Sequence, residues 1–201
     1  MGTRGLYGFR KNGKDKVTYN HWDSYPEGLG IEVIRFCNRH SIEELSAIYD
    51  KIVLIDEEST PTPEEIEWAK CRGLYDPTVS NRSEQNWYCL LRGLQGDLLR
   101  LDIIISSGDK CYMIDNHGFI TDSLMCEYAY IINIDTGKLE FWAGFQEVPQ
   151  KGNRYGEEPY PRNYENAPIY YPCAMVAEFP LDELNEDTTV AEMIKLTEEE
   201  N

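Results

Sequence analysis

The residues best suited to chemistry are concentrated in one short stretch, residues 20–30, which read NHWDSYPEGLG. Within it, His21 and Asp23 are two residues apart, so in an extended segment their side chains project from the same face. An imidazole and a carboxylate on one face could carry general acid–base chemistry, or bind a phosphate or carboxylate together with an arginine. The same groups could instead form a polar network that only fixes a turn.

A predicted β-hairpin over residues 4–11 and 14–22 supplies that arginine. Its turn is Asn12-Gly13, a pair typical of type I′ turns because both central positions need positive φ. The register that follows places Arg4 beside His21. The candidate ligand-binding set is therefore Arg4, Tyr19, Asn20, His21, Trp22, Asp23, Tyr25 and Glu27.

A second polar turn follows a short predicted strand, at residues 115–118 with the sequence DNHG. By itself it is typical of a β-turn. A metal site built from His21, Asp23, Asp115 and His117 is conceivable, but no sequence spacing brings these residues together. We therefore predict no metal site and no cofactor.

The six cysteines, at positions 37, 71, 89, 111, 126 and 173, contain no C-x-x-C pair. Most lie in apolar runs. We expect them to be reduced, buried thiols in a cytosolic protein, because zinc sites need closely spaced ligand pairs.

The net charge of −17 disfavours direct binding to a phosphate backbone or to an anionic membrane. It leaves room for a cationic protein partner, for mimicry of nucleic acid, or for a surface that is acidic only for solubility. The first residues lack the apolar segment of a signal peptide, no run is long enough to span a membrane, and Leu6 breaks the myristoylation pattern. The oligomeric state stays open.

The order of predicted elements is typical of an α+β fold. Helices are expected over residues 28–39, from residue 42, and from residue 63 to about residue 73. A polar loop at 76–83 precedes a fourth helix from residue 84 to the low 100s, in which Gly93 and Gly96 are possible kinks. Two capping boxes mark helix starts, at Ser41 and Thr62. The fourth helix should pack through Trp87, Leu91, Leu94 and Leu98.

The second half is rich in predicted strands, at 111–114, 127–134, 138–145 and 173–179. We expect a mostly antiparallel sheet that holds both the N-terminal hairpin and the 127–145 hairpin. We also expect a single domain over residues 1–201. Its last segment, 181–201, is an acidic helix or tail, with Thr188 or Thr189 as the cap.

Residues 146–172 have no periodicity but contain five prolines and five tyrosines. A long irregular segment in a compact domain is usually functional. We expect it to cover residues 19–27 as a lid, or to dock a partner, with permanent packing over one sheet edge, which blocks aggregation, as the alternative. Its candidate residues are Tyr155, Tyr160, Arg162 and Tyr164.

Two motifs resemble a family of small proteins found in bacteriophages and prophages. The first comprises Thr3-Arg4-Gly5, the hairpin and residues 20–28, where Ser24 stands in place of the family's usual glycine; the second is residues 127–135, EYAYIINID. The family has no settled activity. The resemblance implies an origin in a phage or mobile element and a location in the host cytoplasm.

The sequence is compatible with three functions. The first is a phage accessory protein that binds a small anionic ligand, such as a nucleotide signal, or a host protein, for example to counter host defence. The second is a hydrolase with the layered N-terminal-nucleophile architecture, in which Thr3 would have to be the first residue, although Met1 and Gly2 precede it here. The third is an acidic mimic of nucleic acid that blocks a DNA-binding host enzyme.

Overall fold

The computed structural model describes residues 2–79 and 83–199. Part of the predicted polar loop, residues 80–82, and the end of the C-terminal acidic run lie outside these ranges. The strands are β1 Gly5–Lys11, β2 Lys14–Asn20, β3 Ile52–Ile55, β4 Cys111–Ile114, β5 Tyr128–Asn133, β6 Lys138–Ala143 and β7 Ala174–Pro180. The helices are α1 Ile31–Asn38, α2 Ile42–Lys51, α3 Pro63–Cys71, α4 Trp87–Leu90, α5 Leu98–Ser106 and α6 Glu186–Glu199.

Five strands form the main sheet in the order β2-β1-β5-β6-β7. All neighbouring pairs are antiparallel except β1 and β5, which run parallel. Strands β3 and β4 form a second, parallel pair, which adjoins β2 where the backbone N–H of Asn116 donates to the carbonyl of Val17 (3.1 Å). The α+β prediction is confirmed, with both hairpins in one mostly antiparallel sheet.

The N-terminal hairpin has the predicted turn and register. Asn12 and Gly13 both have positive φ, 52° and 70°, and Leu6 lies opposite Tyr19. The backbone N–H groups of Asn12 and Gly13 donate to the carboxylate of Asp135 at 2.7 and 2.9 Å. The tip of this hairpin is thereby attached to the β5–β6 turn. Strand β2 ends at Asn20, two residues earlier than predicted.

The helices pack on one face of the main sheet, against Tyr7, Phe9, Tyr130 and Ile132. The opposite face presents a smaller apolar cluster that includes Leu6, Val17, Ile131 and Trp142, and Tyr155 of the 146–172 segment packs against it. Among the described residues, then, a helical layer covers one face only. This is plain α+β layering rather than the hydrolase-like arrangement considered from the sequence.

The prediction of a single helix from residue 84 to the low 100s is wrong. The chain instead forms α4, a 3₁₀ turn at Arg92–Leu94, and α5. Helix α4 ends at Leu90, and Gln95 after the 3₁₀ turn is extended. Gly96 follows with a φ of 70°, and the side chain of Asp97 then caps α5 by accepting from the N–H of Arg100 (2.8 Å). The predicted packing residues are nevertheless buried: Trp87, Leu91, Leu94 and Leu98.

The starts of three other helices are set by the side chains that cap them. The capping boxes at Ser41 and Thr62 are both present. Helix α6 begins earlier than predicted, because Asn185 rather than Thr188 or Thr189 accepts from the first N–H groups, including that of Asp187 (3.0 Å). Ile52, which fits the apolar stripe of the helix from residue 42, instead begins β3, a strand that the sequence did not predict.

All six cysteines are free thiols, as expected, and five of them are buried; Cys71 is exposed.

Candidate functional site

The turn after β2 is built around two buried polar side chains, Asn20 and Ser24. The Asn20 amide donates to Ser24 Oγ (2.9 Å) and to the carbonyl of Trp22. The Ser24 backbone is fixed at both ends, since its N–H donates to the carbonyl of Thr3 (3.1 Å) and its carbonyl accepts from Tyr130 Oη (2.9 Å). Asn20 and Ser24 thus shape the turn, and their polar atoms are largely satisfied within it.

This turn continues into a wide helical turn, Pro26–Gly30, before α1 begins. The N–H of Gly30 donates across five residues to the carbonyl of Tyr25 (3.4 Å), which is the π-helical pattern. Such turns are rare and are frequent at functional sites. Asp23 has a φ of 53°, a conformation that non-glycine residues seldom adopt. The combination projects Trp22 and Asp23 outward.

A large open cleft lies on one side of the turn, with a volume of about 990 Å³. Asn20, Trp22, Asp23 and Glu27 line it from the turn, and the segment around Gly96 lines it from the opposite side. Its walls carry five carboxylates and two guanidiniums. We call it the acidic cleft; its charged residues are Asp23, Glu27, Glu32, Asp76, Asp97, Arg35 and Arg92.

A smaller pocket of about 290 Å³ lies on the other side of the turn, and we call it the His21 pocket. Three aromatic side chains contribute to its wall, together with an imidazole, a carboxylate, two amides and one isoleucine. The lining residues are Tyr19, His21, Glu57, Tyr88, Gln95, Ile114, Asn116 and Phe119. The rings of Tyr19 and Phe119 are perpendicular, with centroids 5.1 Å apart.

The environment of this pocket keeps its histidine neutral and its tyrosine protonated. Tyr19 Oη and His21 Nδ1 are 2.7 Å apart. Burial, followed by the charges of Arg92 and Arg4, lowers the pKa of His21. Burial raises the pKa of Tyr19 to about 12. The hydroxyl of Tyr19 therefore donates to Nδ1, which leaves Nε2 of His21 as a hydrogen-bond donor.

The two guanidiniums that act on His21 form no ion pair among the described residues, although the pKa of Asp76 in the acidic cleft is lowered by hydrogen bonds from Thr78 and also by the charge of Arg92. Arg92 lies over the ring of Tyr88 (5.7 Å to the centroid) and donates to Gln95. The Arg4 guanidinium contacts the Sδ atom of Met125 (3.1 Å). Across residues 2–79 and 83–199, neither arginine forms an ion pair with a carboxylate. Arg35, by contrast, pairs with Glu32 (2.9 Å) and Glu186 (2.8 Å).

The structure therefore divides the predicted binding residues between two cavities. Tyr19 and His21 line the His21 pocket, while Asn20, Trp22, Asp23 and Glu27 line the acidic cleft. Tyr25 is 37% exposed but lines neither. Arg4 acts on the pocket through its charge.

Several residues of the two cavities were not singled out from the sequence: Glu57, Tyr88, Arg92, Gln95, Asn116 and Phe119. Asn116 belongs to the polar turn at 115–118, and its Oδ1 accepts from the backbone N–H of Tyr19 (3.0 Å). That turn was a signal in the sequence. Glu57 follows a strand that was not predicted, so nothing in its sequence context pointed to this pocket.

Segment 146–172 makes its described contacts away from residues 19–27. Arg154 forms a bidentate ion pair with the buried Glu140 (3.0 and 2.6 Å), and Tyr155 Oη donates to Asp15 (2.9 Å). Arg162 pairs with Asp122. These bonds hold the segment on the second face of the sheet. The described contacts therefore place the segment on the sheet and not over the turn, where the lid was expected.

Tyr160 and Tyr164, the other candidates in this segment, are at the surface. Tyr160 is 36% exposed and Tyr164 is 58% exposed. The guanidinium of Arg162 lies over the Tyr160 ring at 5.3 Å. Neither tyrosine lines the His21 pocket or the acidic cleft.

The structure gives no support to the four-residue metal site. Asp115 and His117 form an exposed pair, with 2.9 Å between Oδ1 and Nδ1. Within the part of the chain that the structure describes, no three histidine, cysteine or acidic side chains are arranged to hold a metal ion. None of the helices in the same part has the length and apolar character needed to cross a bilayer.

The chain matches no known protein-family model, no curated protein and no solved structure.

Proposed function

We propose that this protein is a binding protein and that its His21 pocket takes a small anionic ligand with an aromatic ring, such as a nucleotide. The observation that carries the proposal is the pair of guanidiniums, Arg4 and Arg92, whose charges act on His21 and which form no ion pair with a carboxylate among the described residues. An unpaired guanidinium beside a partly buried pocket is a favourable position for a phosphate or carboxylate.

The walls of the pocket support the aromatic part of the ligand. Tyr19, Tyr88 and Phe119 offer ring faces and edges, and stacking on such side chains stabilises any planar base. Nε2 of the neutral His21 and the amide of Gln95 add polar contacts. The volume of about 290 Å³ suits one base with part of its sugar rather than a larger ligand.

The acidic cleft does not suit the same ligand, because its carboxylates outnumber its guanidiniums by five to two. An anion would be repelled there. We therefore assign the anionic ligand to the His21 pocket alone. In this proposal the protein is a phage accessory factor that acts in the host cytoplasm on a host signal, as the resemblance to phage and prophage proteins implies.

Calorimetric titration with nucleoside monophosphates and cyclic nucleotides tests this function. We expect a nucleotide to bind, with an affinity that falls as salt is raised and that is lost in Arg92→Gln. The matched control is Arg35→Gln, which removes the same charge from a residue paired with Glu32 and Glu186. If no nucleotide binds, or if both variants lose the same affinity, the proposal is wrong.

A second candidate function is docking on a host protein through the acidic cleft. Trp22 is 53% exposed at its edge, beside the carboxylates of Asp23 and Glu27, and this combination suits a lysine- or arginine-rich segment. A labelled basic peptide should bind, and the Asp23→Asn/Glu27→Gln double variant should weaken that binding. An acidic peptide of equal length serves as the control, and equal binding of both peptides would refute this candidate.

A further inference from the structure

Glu57 stands out in the His21 pocket because it is a partly buried carboxylate without a cationic partner. It accepts a side-chain hydrogen bond from Asn116, and burial and its neighbours Glu58 and Asp56 raise its pKa. It forms no ion pair with any of the described residues. A desolvated carboxylate in this position is stabilised by any ligand that brings N–H donors to it.

The charges around the pocket decide which kind of donor fits. An alkylammonium ion would satisfy Glu57 and the aromatic rings. It would also meet the positive charges of Arg4 and Arg92, which already disfavour protonation of His21. The ligand should therefore carry neutral N–H donors at one end and a negative charge at the other.

Among the nucleobases, one edge matches a carboxylate best. Guanine presents N1–H and the 2-amino group side by side, so both can donate to the two oxygens of one carboxylate, as a guanidinium does. Adenine presents an amino group beside a ring nitrogen that accepts, and that lone pair would face a carboxylate oxygen. Hypoxanthine keeps N1–H and lacks the 2-amino group.

We propose that the His21 pocket selects guanine nucleotides, with the carboxylate of Glu57 accepting from N1–H and the 2-amino group of the base. The aromatic rings of the pocket hold the base plane. The phosphate projects from the pocket toward the positive charges of Arg4 and Arg92, which already act on His21; Arg92 lines the neighbouring cleft and not the pocket itself. This inference rests on the proposed function, because it names the ligand class of the same pocket.

The test is a comparison of GMP, IMP and AMP by calorimetry on the full chain, in the wild type and in Glu57→Gln. We expect GMP to bind about 10–100-fold more tightly than AMP, with IMP between them, since a matched bidentate contact discriminates by about that factor. In Glu57→Gln the GMP affinity should fall to the level of AMP, while the AMP affinity stays within a few-fold. That retained AMP affinity shows that the variant is folded.

Glu58→Gln, one residue away and exposed, is the matched control and should keep the preference for GMP. Equal affinities of GMP and AMP in the wild type, or a preference that survives Glu57→Gln, would overturn the guanine assignment. If binding in that case still depends on Arg92, the proposed function stands. Absence of binding by all three nucleotides would overturn both.

Discussion

The surroundings of His21 disfavour its protonated form. Its pKa lies below 6.5 because burial and the charges of Arg92 and Arg4 disfavour the imidazolium. The unfolded chain therefore binds the proton more readily, so this residue lowers the stability of the fold as pH decreases through about 6.5. Above that pH, His21 is neutral in both the folded and the unfolded chain, and this loss of stability is absent.

Removing the positive charge of Arg92 should partly restore the ordinary pKa of His21. In Arg92→Gln we expect the pKa of His21 to rise toward 6.5, measured by an NMR pH titration of the imidazole C–H signals. Arg35→Gln is the control, since Arg35 is not among the charges that act on His21. A bound phosphate-bearing ligand should raise the same pKa in the wild type. An unchanged pKa in Arg92→Gln would show that the charge of Arg92 does not contribute to the shift.

Gly96 fixes the distance between the turn and the segment that leads into α5. A Cβ atom there would stand 2.5 Å from Asn20 Oδ1, and the φ of 70° adds backbone strain for any other residue. We expect Gly96→Ala to cost more than 1 kcal/mol and to disturb both cavities. Gly108→Ala is the control, because it has positive φ but no atom within 4 Å of its Cβ position. Equal unfolding free energies for the two variants would mean that the contact with Asn20 is unimportant.

At the scale of elements, the segment from α4 to α5 forms the packing centre under the sheet although it is not one helix. Leu94 lies in its 3₁₀ turn, is buried, and its carbonyl accepts from Tyr7 Oη of β1 (3.3 Å). We expect Leu94→Ala to cost about 2–5 kcal/mol as a large-to-small core change. Leu99→Ala, whose side chain is 57% exposed, should stay within about 0.5 kcal/mol of the wild type. Urea unfolding compares the two, and similar costs would refute the packing role of Leu94.

The same segment shows why the sequence predicts some features and not others. The Asn12-Gly13 turn and the Ser41 and Thr62 capping boxes are local, because the residues that cause each structure are adjacent, and all three are observed. The helical spacing from Trp87 to Leu98 correctly identified buried positions. The sequence indicated Gly96 as a possible kink but could not show the close approach of Gly96 to Asn20, because the two residues are 76 positions apart in the sequence.

The candidate site was predictable in part for the same reason. Residues 19–23 were found because their polar and aromatic side chains are consecutive. The placement of β3 brings Glu57 to the His21 pocket. The segment from α4 to α5 brings Tyr88 to the same pocket and Arg92 to the acidic cleft. Alternation at the end of β2 accounts for Tyr19 and Asn20, which face different cavities. It does not account for Asp23, which has a positive φ and lines the same cleft as Asn20.

At the scale of the whole molecule, segment 146–172 takes the place of a helical layer on the second face of the sheet. Its central bond joins Arg154 to Glu140, which is 2% exposed and also accepts from Asn133 (2.6 Å) and Trp142 (3.0 Å). Removing Arg154 would leave a buried carboxylate without its cation, at a cost of about 3–5 kcal/mol. The segment therefore contributes to stability whatever else it does.

Replacing parts of this segment separates its roles. A short Gly/Ser linker in place of residues 152–166 removes Arg154 and Tyr155 and should give an unstable protein that aggregates. A linker in place of residues 157–161 keeps Arg154, Tyr155 and Arg162 and should fold with a thermal midpoint near that of the wild type. Light scattering and thermal unfolding measure both outcomes. If the larger replacement folds normally but no longer binds its ligand, the lid interpretation is correct after all.

The parallel pairing of β1 with β5 also has a consequence for how the chain acquires its structure. Gly5 of β1 is aligned with Tyr128 of β5, the central strand of the sheet. Strand β1 can therefore pair with β5 only after more than half of the chain has been synthesised. Pairings this distant in sequence are typical of slow folding. Until β5 emerges from the ribosome, the β1–β2 hairpin has an open edge that can pair with other chains. We therefore expect chains that end before residue 128 to associate or to be degraded, and refolding of the full chain to be slow beside that of a helical bundle of equal length.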